Sequence, residues 1–145
     1  MQFHTPSALT NSQLSKLKLL TVCLITYNHK NYIQKAINSI LTQKTSFEYD
    51  ILIADDYSTD GTREFITDHA KNCPKTDLIL QDKNVGPHRN FIDLISKPKT
   101  QYIAYLEGDD YWLDCNKLQN QVDILEKYPN SSFCFSDVAV NKNQR

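Results

Sequence analysis

Glu107, Asp109 and Asp110 put three carboxylates into a stretch of four residues, directly after an apolar run from Tyr102 to Leu106. Like charges this close repel and resist ionising together, so the stretch is best accommodated when a divalent cation or a cationic group sits among them. Asp55 and Asp56 follow a second apolar run, Tyr49 to Ala54, and Thr26, Tyr27 and Asn28 follow a third, Leu20 to Ile25. Three polar ends of this kind have the chemistry to hold a nucleoside diphosphate together with a metal. A flat ring such as Tyr27 stacks on a base, and a carboxylate such as Asp56 accepts a hydrogen bond from an imide N–H of the sort uracil offers. Asp109 and Asp110 supply hard oxygens to Mg2+ or Mn2+, whose remaining positions take phosphate oxygens. Such an ion neutralises charge on a departing diphosphate, a Lewis-acid contribution of several kcal/mol.

The elements that must position these residues are legible as an alternation. After an aperiodic polar stretch over residues 1–18, read as a flexible tail, the domain is expected over residues 19–145. Leu20 to Ile25 reads as a strand, and Ile33, Ala36, Ile37, Ile40 and Leu41 recur at the offsets of one buried helical face. A strand over Tyr49 to Ala54 leads through the turn Ser58-Thr59-Asp60-Gly61 into a helix capped near Thr62 and ended before Pro74. Leu78 to Leu80 forms a short strand, Pro87 opens a helix that Pro98 stops, and Tyr102 to Leu106 is the fourth strand. Leu118, Val122 and Leu125 mark a last helix, and Ser132 to Val140, after the turn Tyr128-Pro129-Asn130, reads as a fifth strand. Five strands alternating with four helices predict an α/β fold, with a mostly parallel sheet, helices on both faces and a ligand cleft at the carboxyl ends of the strands.

Composition narrows the partners. The chain has 145 residues, 40% of them hydrophobic, which is enough for one domain with its own core. A formal net charge of -1 gives no overall positive field to recruit nucleic acid or an anionic membrane. No stretch approaches the roughly 20 apolar residues of a spanning helix, and no basic-then-apolar leader opens the chain. A cytoplasmic setting is expected. Cys23, Cys73, Cys115 and Cys134 form no C-x-x-C pair and are read as reduced thiols. Asn130-Ser131-Ser132 has the form of a glycosylation acceptor, relevant only in a secretory compartment that nothing else here supports. His29 and His88 flank helix starts and are read as surface residues rather than ligands.

Four runs in order carry a resemblance: Val22-Cys23-Leu24-Ile25-Thr26-Tyr27-Asn28, Ile51 to Thr62 with its Ala54-Asp55-Asp56-Tyr57-Ser58-Thr59-Asp60-Gly61 core, Asn84-Val85-Gly86, and Leu106-Glu107-Gly108-Asp109-Asp110-Tyr111-Trp112. Over about residues 19 to 140 the chain resembles the nucleotide-sugar-binding half of glycosyltransferase family 2. The resemblance implies a GT-A fold, a Rossmann-like three-layer sandwich. It implies inverting transfer of a sugar from a nucleotide diphosphate, with a UDP-sugar as donor, to the hydroxyl of a saccharide or lipid-linked acceptor. Cell-surface polysaccharide synthesis is the setting it suggests. By the same likeness Thr26 and Tyr27 contact the base with Asp56 reading it, Asn28 and Asp55 count among the substrate-binding residues, and Asn84 and Gly86 belong to the loop bordering the ribose and phosphates. Arg89 is a phosphate contact, Glu107-Gly108-Asp109 stands where the family carries its Asp-x-Asp signature with Glu in first place, and Asp109 or Asp110 ligates Mn2+ or Mg2+.

The resemblance also places the family's general base in a later segment, beyond Arg145, which makes activity of these residues alone doubtful. A region outside them is the expected route to the inner face of a membrane. Two other functional readings compete. Ile51 to Asp56 resembles the opening strand of a phospho-acceptor receiver domain with Asp82 as the modified residue, against which stand the strand and helix that precede it and the want of a suitable late lysine. A non-catalytic module that only binds a nucleotide sugar is the other. A nucleotidyltransferase fits less well, because Thr26-Tyr27-Asn28-His29-Lys30 lacks the glycine-rich loop such enzymes place after the first strand.

Overall fold

A computed structural model describes residues 18–140. The expected tail over residues 1–18 therefore lies outside the described residues except for Lys18. Eight elements alternate along the chain: β1 (Leu20–Thr26), α1 (Ile33–Leu41), β2 (Tyr49–Asp55), α2 (Thr62–Asn72), β3 (Thr76–Leu80), α3 (Pro87–Ile95), β4 (Tyr102–Glu107) and α4 (Lys117–Lys127). The four strands form one parallel sheet in the order β3-β2-β1-β4.

Strand alternation explains the layers. Leu20, Val22 and Leu24 of β1, Tyr49, Ile51 and Ile53 of β2, and Leu106 of β4 share one core with Ile33, Ala36, Ile37 and Ile40 of α1, Ile66 of α2, and Leu118 and Val122 of α4. The opposite set, Cys23, Leu52 and Ala54, packs under Leu94 of α3. Three helices thus cover one face and one covers the other. Handedness of the crossovers requires this: β1, β2 and β3 step one way across the sheet, whereas the connection from β3 to β4 steps back past β2 and β1, and a right-handed crossover in the reverse direction sets its helix on the other side. Among the described residues α3 is the one helix on that side, and Ile103 and Tyr105 of β4 stay 45% and 42% exposed, with Phe91 meeting Tyr105 edge to face at 5.3 Å.

The fifth strand is a correction. Residues 131–140 contain no strand and make no sheet pairing, and Phe133 and Phe135 stack on each other at 75% and 84% exposure. The segment has the period of a strand, but β-structure exists only where a neighbour accepts its N–H and C=O groups, and none is offered among the described residues. Elsewhere the expected strands run one or two residues further than their apolar cores, because ladder hydrogen bonds continue into Thr26, Asp55 and Glu107. All four cysteines are free, and burial pushes the Cys23 thiol up to about 12, so it stays protonated and inert. Among the described residues no helix is long and apolar enough to cross a membrane.

Candidate functional site

The sheet order makes β2, β1 and β4 neighbours, so the three polar ends stand side by side along the carboxyl rim. The register sets Thr26 beside Asp55 and Ile25 beside Glu107. Parallel neighbours lie about 4.8 Å apart, which puts the strand-end backbones of Asp55 and Glu107 roughly 10 Å from each other, across β1. The order also reverses between β1 and β4, the place where open α/β sheets leave a crevice between diverging loops.

Hydrogen bonds sew the first two loops together. Asn28, at φ 56°, donates its backbone N–H to Ser58 Oγ at 2.8 Å, and its Oδ1 accepts from Thr59 N at 2.9 Å. Asp60 Oδ2 accepts from Lys30 N at 3.0 Å, while its Oδ1 accepts from Thr62 N at 2.9 Å and opens α2. What burial Asp60 has raises its pKa, but these donors outweigh that and hold the carboxyl below its ordinary 3.8. The loops leave Tyr27 and Tyr57 each 44% exposed on the rim.

Asp55 and Asp56 face inward. Asp55 is fully buried and accepts from Arg63 Nε at 2.6 Å and Ser58 N at 3.1 Å, an ion pair that ties β2 to α2. Asp56 is 2% exposed, and its two oxygens accept from Val85 N at 2.7 Å and Gly86 N at 3.0 Å. Asp56 therefore holds the Asn84-Val85-Gly86 loop against the rim, with Gly86 at φ 87°, a conformation that favours glycine. Asn90, which the sequence reading passed over, is 1% exposed and braces the same corner: its Nδ2 donates to the Ala54 carbonyl at 3.2 Å and its Oδ1 accepts from Gln81 at 3.3 Å. Arg89 is mostly exposed and pairs with Asp93 at 3.0 Å, one turn along α3.

The second acid cluster faces outward. Glu107, Asp109 and Asp110 are exposed, and the Tyr105 hydroxyl donates to Glu107 at 3.3 Å. Burial and then the Glu107 charge push the Tyr105 phenol up to about 12. The loop carrying these acids is fixed from both sides. Gly108 N donates to the Ile25 carbonyl at 2.8 Å, and Trp112 N donates to Ser39 Oγ at 3.1 Å. Further along, Gln43 Nε2 donates to the Asp114 carbonyl at 2.8 Å and Gln43 Oε1 accepts from Leu118 N at 3.0 Å. Lys35 stands over the Tyr111 ring at 3.5 Å. A side chain on Gly108 would place its Cβ 2.7 Å from both His29 Nδ1 and Thr26 Oγ1, so only glycine lets the loop lie this close to β1.

That contact reveals a residue the sequence reading set aside. His29 is partly exposed at the rim: Nδ1 lies 3.3 Å from Thr26 Oγ1, and Nε2 lies 3.9 Å from Asp109 Oδ2. Its three-residue offset from Thr26 at a helix start was the available signal. His88 is exposed, as expected.

Among the described residues no three His, Cys, Asp or Glu side chains converge tightly enough to enclose an ion by themselves. The donor set nevertheless fits a hard divalent cation, which commonly takes one or two carboxylates and fills its other positions with water and substrate phosphate. Asp109, its side chain 48% exposed, and Asp110 are the open carboxylates for that purpose.

The family profile described as Glycosyl transferase family 2 matches residues 21–145. The chain is 39% identical over 122 residues to the uncharacterised protein Rv1520 of Mycobacterium tuberculosis, covering 83% of this chain and 35% of that protein. It is 37% identical over 95 residues to the abequosyltransferase RfbV of Salmonella typhimurium, covering 63% and 28%. Among solved structures, TarS 1-349 of S. aureus in complex with UDP aligns with a TM-score of 0.66 at 22% identity, over 76% of this chain and 32% of that one. The mannosyltransferase PcManGT of Pyrobaculum calidifontis, in complex with GDP-Man and Mn2+, aligns with a TM-score of 0.66 at 21% identity, over 75% and 32%. Those two show the GT-A fold. The chain spans about a third of the length of the curated relatives it matches first.

Proposed function

Because the chain belongs to glycosyl transferase family 2, we infer that it carries the donor-binding part of an inverting glycosyltransferase that takes its sugar from a nucleotide diphosphate, UDP in the first instance. The observation that carries this reading is the adjacency of three rim segments: a ring on β1, a braced loop beside β2 and open acids after β4. Tyr27 stacks on the base. Asp56 holds the Asn84–Gly86 loop and turns its remaining lone pairs toward the base imide, since an ionised carboxylate accepts about four hydrogen bonds and two are taken. Thr26, Asn28 and Asp55 frame the pocket, Asp55 through its grip on Arg63 and Ser58. Glu107 reaches the ribose, and Arg89, released from Asp93, a phosphate.

Asp109 and Asp110 hold Mn2+ or Mg2+, which when bound stabilises charge on the departing diphosphate. The chain's own part in that step is to fix the acids by packing Gly108 on β1 and sewing Trp112 and Leu118 to α1. The acceptor, a saccharide or lipid-linked hydroxyl in cell-surface polysaccharide assembly, belongs to the same proposal, as does a cytoplasmic location at the inner face of a membrane. Support comes from the family match and from structural neighbours crystallised with UDP and with GDP-Man and Mn2+.

A receiver-type signalling role does not suit the sheet. Receivers follow the order 2-1-3-4-5, in which the first strand lies between the second and third, whereas here β1 lies between β2 and β4. Calorimetric titration with UDP in Mn2+ and again in EDTA tests the proposal. Binding that needs the metal is the expected result, and indifference to UDP in both conditions would refute it.

A further inference from the structure

We propose that His29 joins Asp109 in ligating the divalent cation, so that the metal bridges β1 and β4 at the point where the sheet reverses its order. This rests on the donor-binding reading above and adds a nitrogen ligand to it. Nε2 of His29 and Oδ2 of Asp109 are 3.9 Å apart, too far for a hydrogen bond. Donors about 2.1 Å from an octahedral ion lie about 3.0 Å apart when adjacent, so the two side chains must close by roughly 1 Å to share one.

The imidazole is held as a ligand needs to be. A metal-bound histidine donates its other ring N–H to a fixed acceptor, which sets the tautomer and aims the free lone pair. Thr26 Oγ1, on a residue 1% exposed at the end of β1, lies 3.3 Å from Nδ1 and is placed to take that part in the Nδ1-protonated tautomer. With the proton on Nδ1, the Nε2 lone pair faces Asp109. The backbone is equally fixed, because the His29 carbonyl accepts from Tyr32 N and Ile33 N, both at 2.8 Å, at the start of α1. Gly108 closes the arrangement: its missing side chain lets the loop bearing Asp109 press against the imidazole. The His29 side chain is 25% exposed, so it is mostly packed yet still open to solvent.

A nitrogen ligand has a consequence that a purely carboxylate site lacks. Carboxylate and water suit both Mn2+ and Mg2+, but an imidazole nitrogen is tolerated by Mn2+, the first of the transition ions, better than by the harder Mg2+. His29 therefore sets the preference of the site for Mn2+ over Mg2+. A residue that only packed under the loop would leave that ratio unchanged.

The test is pulsed electron paramagnetic resonance on the full chain with Mn2+ and UDP. The expected spectrum shows 31P coupling from the diphosphate and 14N coupling from the imidazole, with the nitrogen signal absent in His29→Gln. In parallel, the Mn2+ to Mg2+ affinity ratio measured by UDP titration should fall about tenfold in His29→Gln. Phosphorus coupling without nitrogen coupling in the unsubstituted chain would overturn the His29 assignment and leave the donor-binding reading standing. Absence of both couplings would overturn the two together. The spectrum of the unsubstituted chain decides the matter even where the variant folds poorly.

Discussion

The two acid clusters look alike in sequence and do opposite things in the fold. Asp55-Asp56 and Glu107-Gly108-Asp109-Asp110 both follow an apolar strand, and both end at the same rim. Yet Asp55 and Asp56 are 0% and 2% exposed, with partners on every carboxylate, whereas Asp109 and Asp110 are open to solvent and accept no hydrogen bond among the described residues. The central strand β2 is buried on both faces, so its terminal acids must be neutralised within the protein, by Arg63 and by backbone N–H groups. The edge strand β4 imposes no such demand, and its acids are left to bind something that arrives. One cluster builds the rim, with Asp56 alone keeping lone pairs for the base, and the other is left open for the metal.

If that division is correct, substitutions should separate stability from binding. The largest effect is expected from Asp55→Ala, which leaves the Arg63 guanidinium without its buried partner and the Ser58 turn without an acceptor. A loss of about 3 kcal/mol in denaturant unfolding follows from breaking a buried pair. A loss below about 0.5 kcal/mol would erase the distinction between the clusters. Gly108→Ala comes next, because the loop must move to relieve two contacts at 2.7 Å. Overpacking of this kind costs about 1–3 kcal/mol, and UDP titration in Mn2+ should weaken with it as Asp109 shifts.

Asp60→Ala is smaller, about 1 kcal/mol, for loss of the bonds that open α2. Its pH dependence carries a sign. The folded carboxyl sits below its ordinary 3.8, so its stabilisation is complete above that value and disappears as pH falls through the lower, folded value. The stability difference between the native chain and Asp60→Ala should therefore be flat from pH 7 to about 5 and narrow only in stronger acid. A difference that grew on acidification would contradict the hydrogen bonding described.

Sequence pattern was enough for the four strands and four helices because each has a period and an end signal of its own: the Ile33 to Leu41 stripe, Pro87 and Pro98, the Asp60-Gly61 turn. It was enough to bring three polar ends to one rim, since parallel strands with right-handed crossovers leave no other arrangement. It could not supply pairings made across the sheet. Phe133 to Val140 alternates like a strand but meets no pairing neighbour among the described residues, and nothing local in Asp55 foretells Arg63 of the next helix reaching back to it. The packing of His29 is equally invisible in the sequence, because it depends on Gly108, a residue far along the chain that becomes its neighbour only when β4 lies beside β1.

The claim that the outward acids hold the metal while the inward acids brace the rim is tested most directly by Asp109→Ala/Asp110→Ala in a calorimetric titration with UDP and Mn2+. The double variant should unfold within about 0.5 kcal/mol of the unsubstituted chain, or slightly later as carboxylate repulsion is relieved, and should show no metal-dependent heat of UDP binding. Metal-dependent binding of unchanged affinity in the double variant would contradict it.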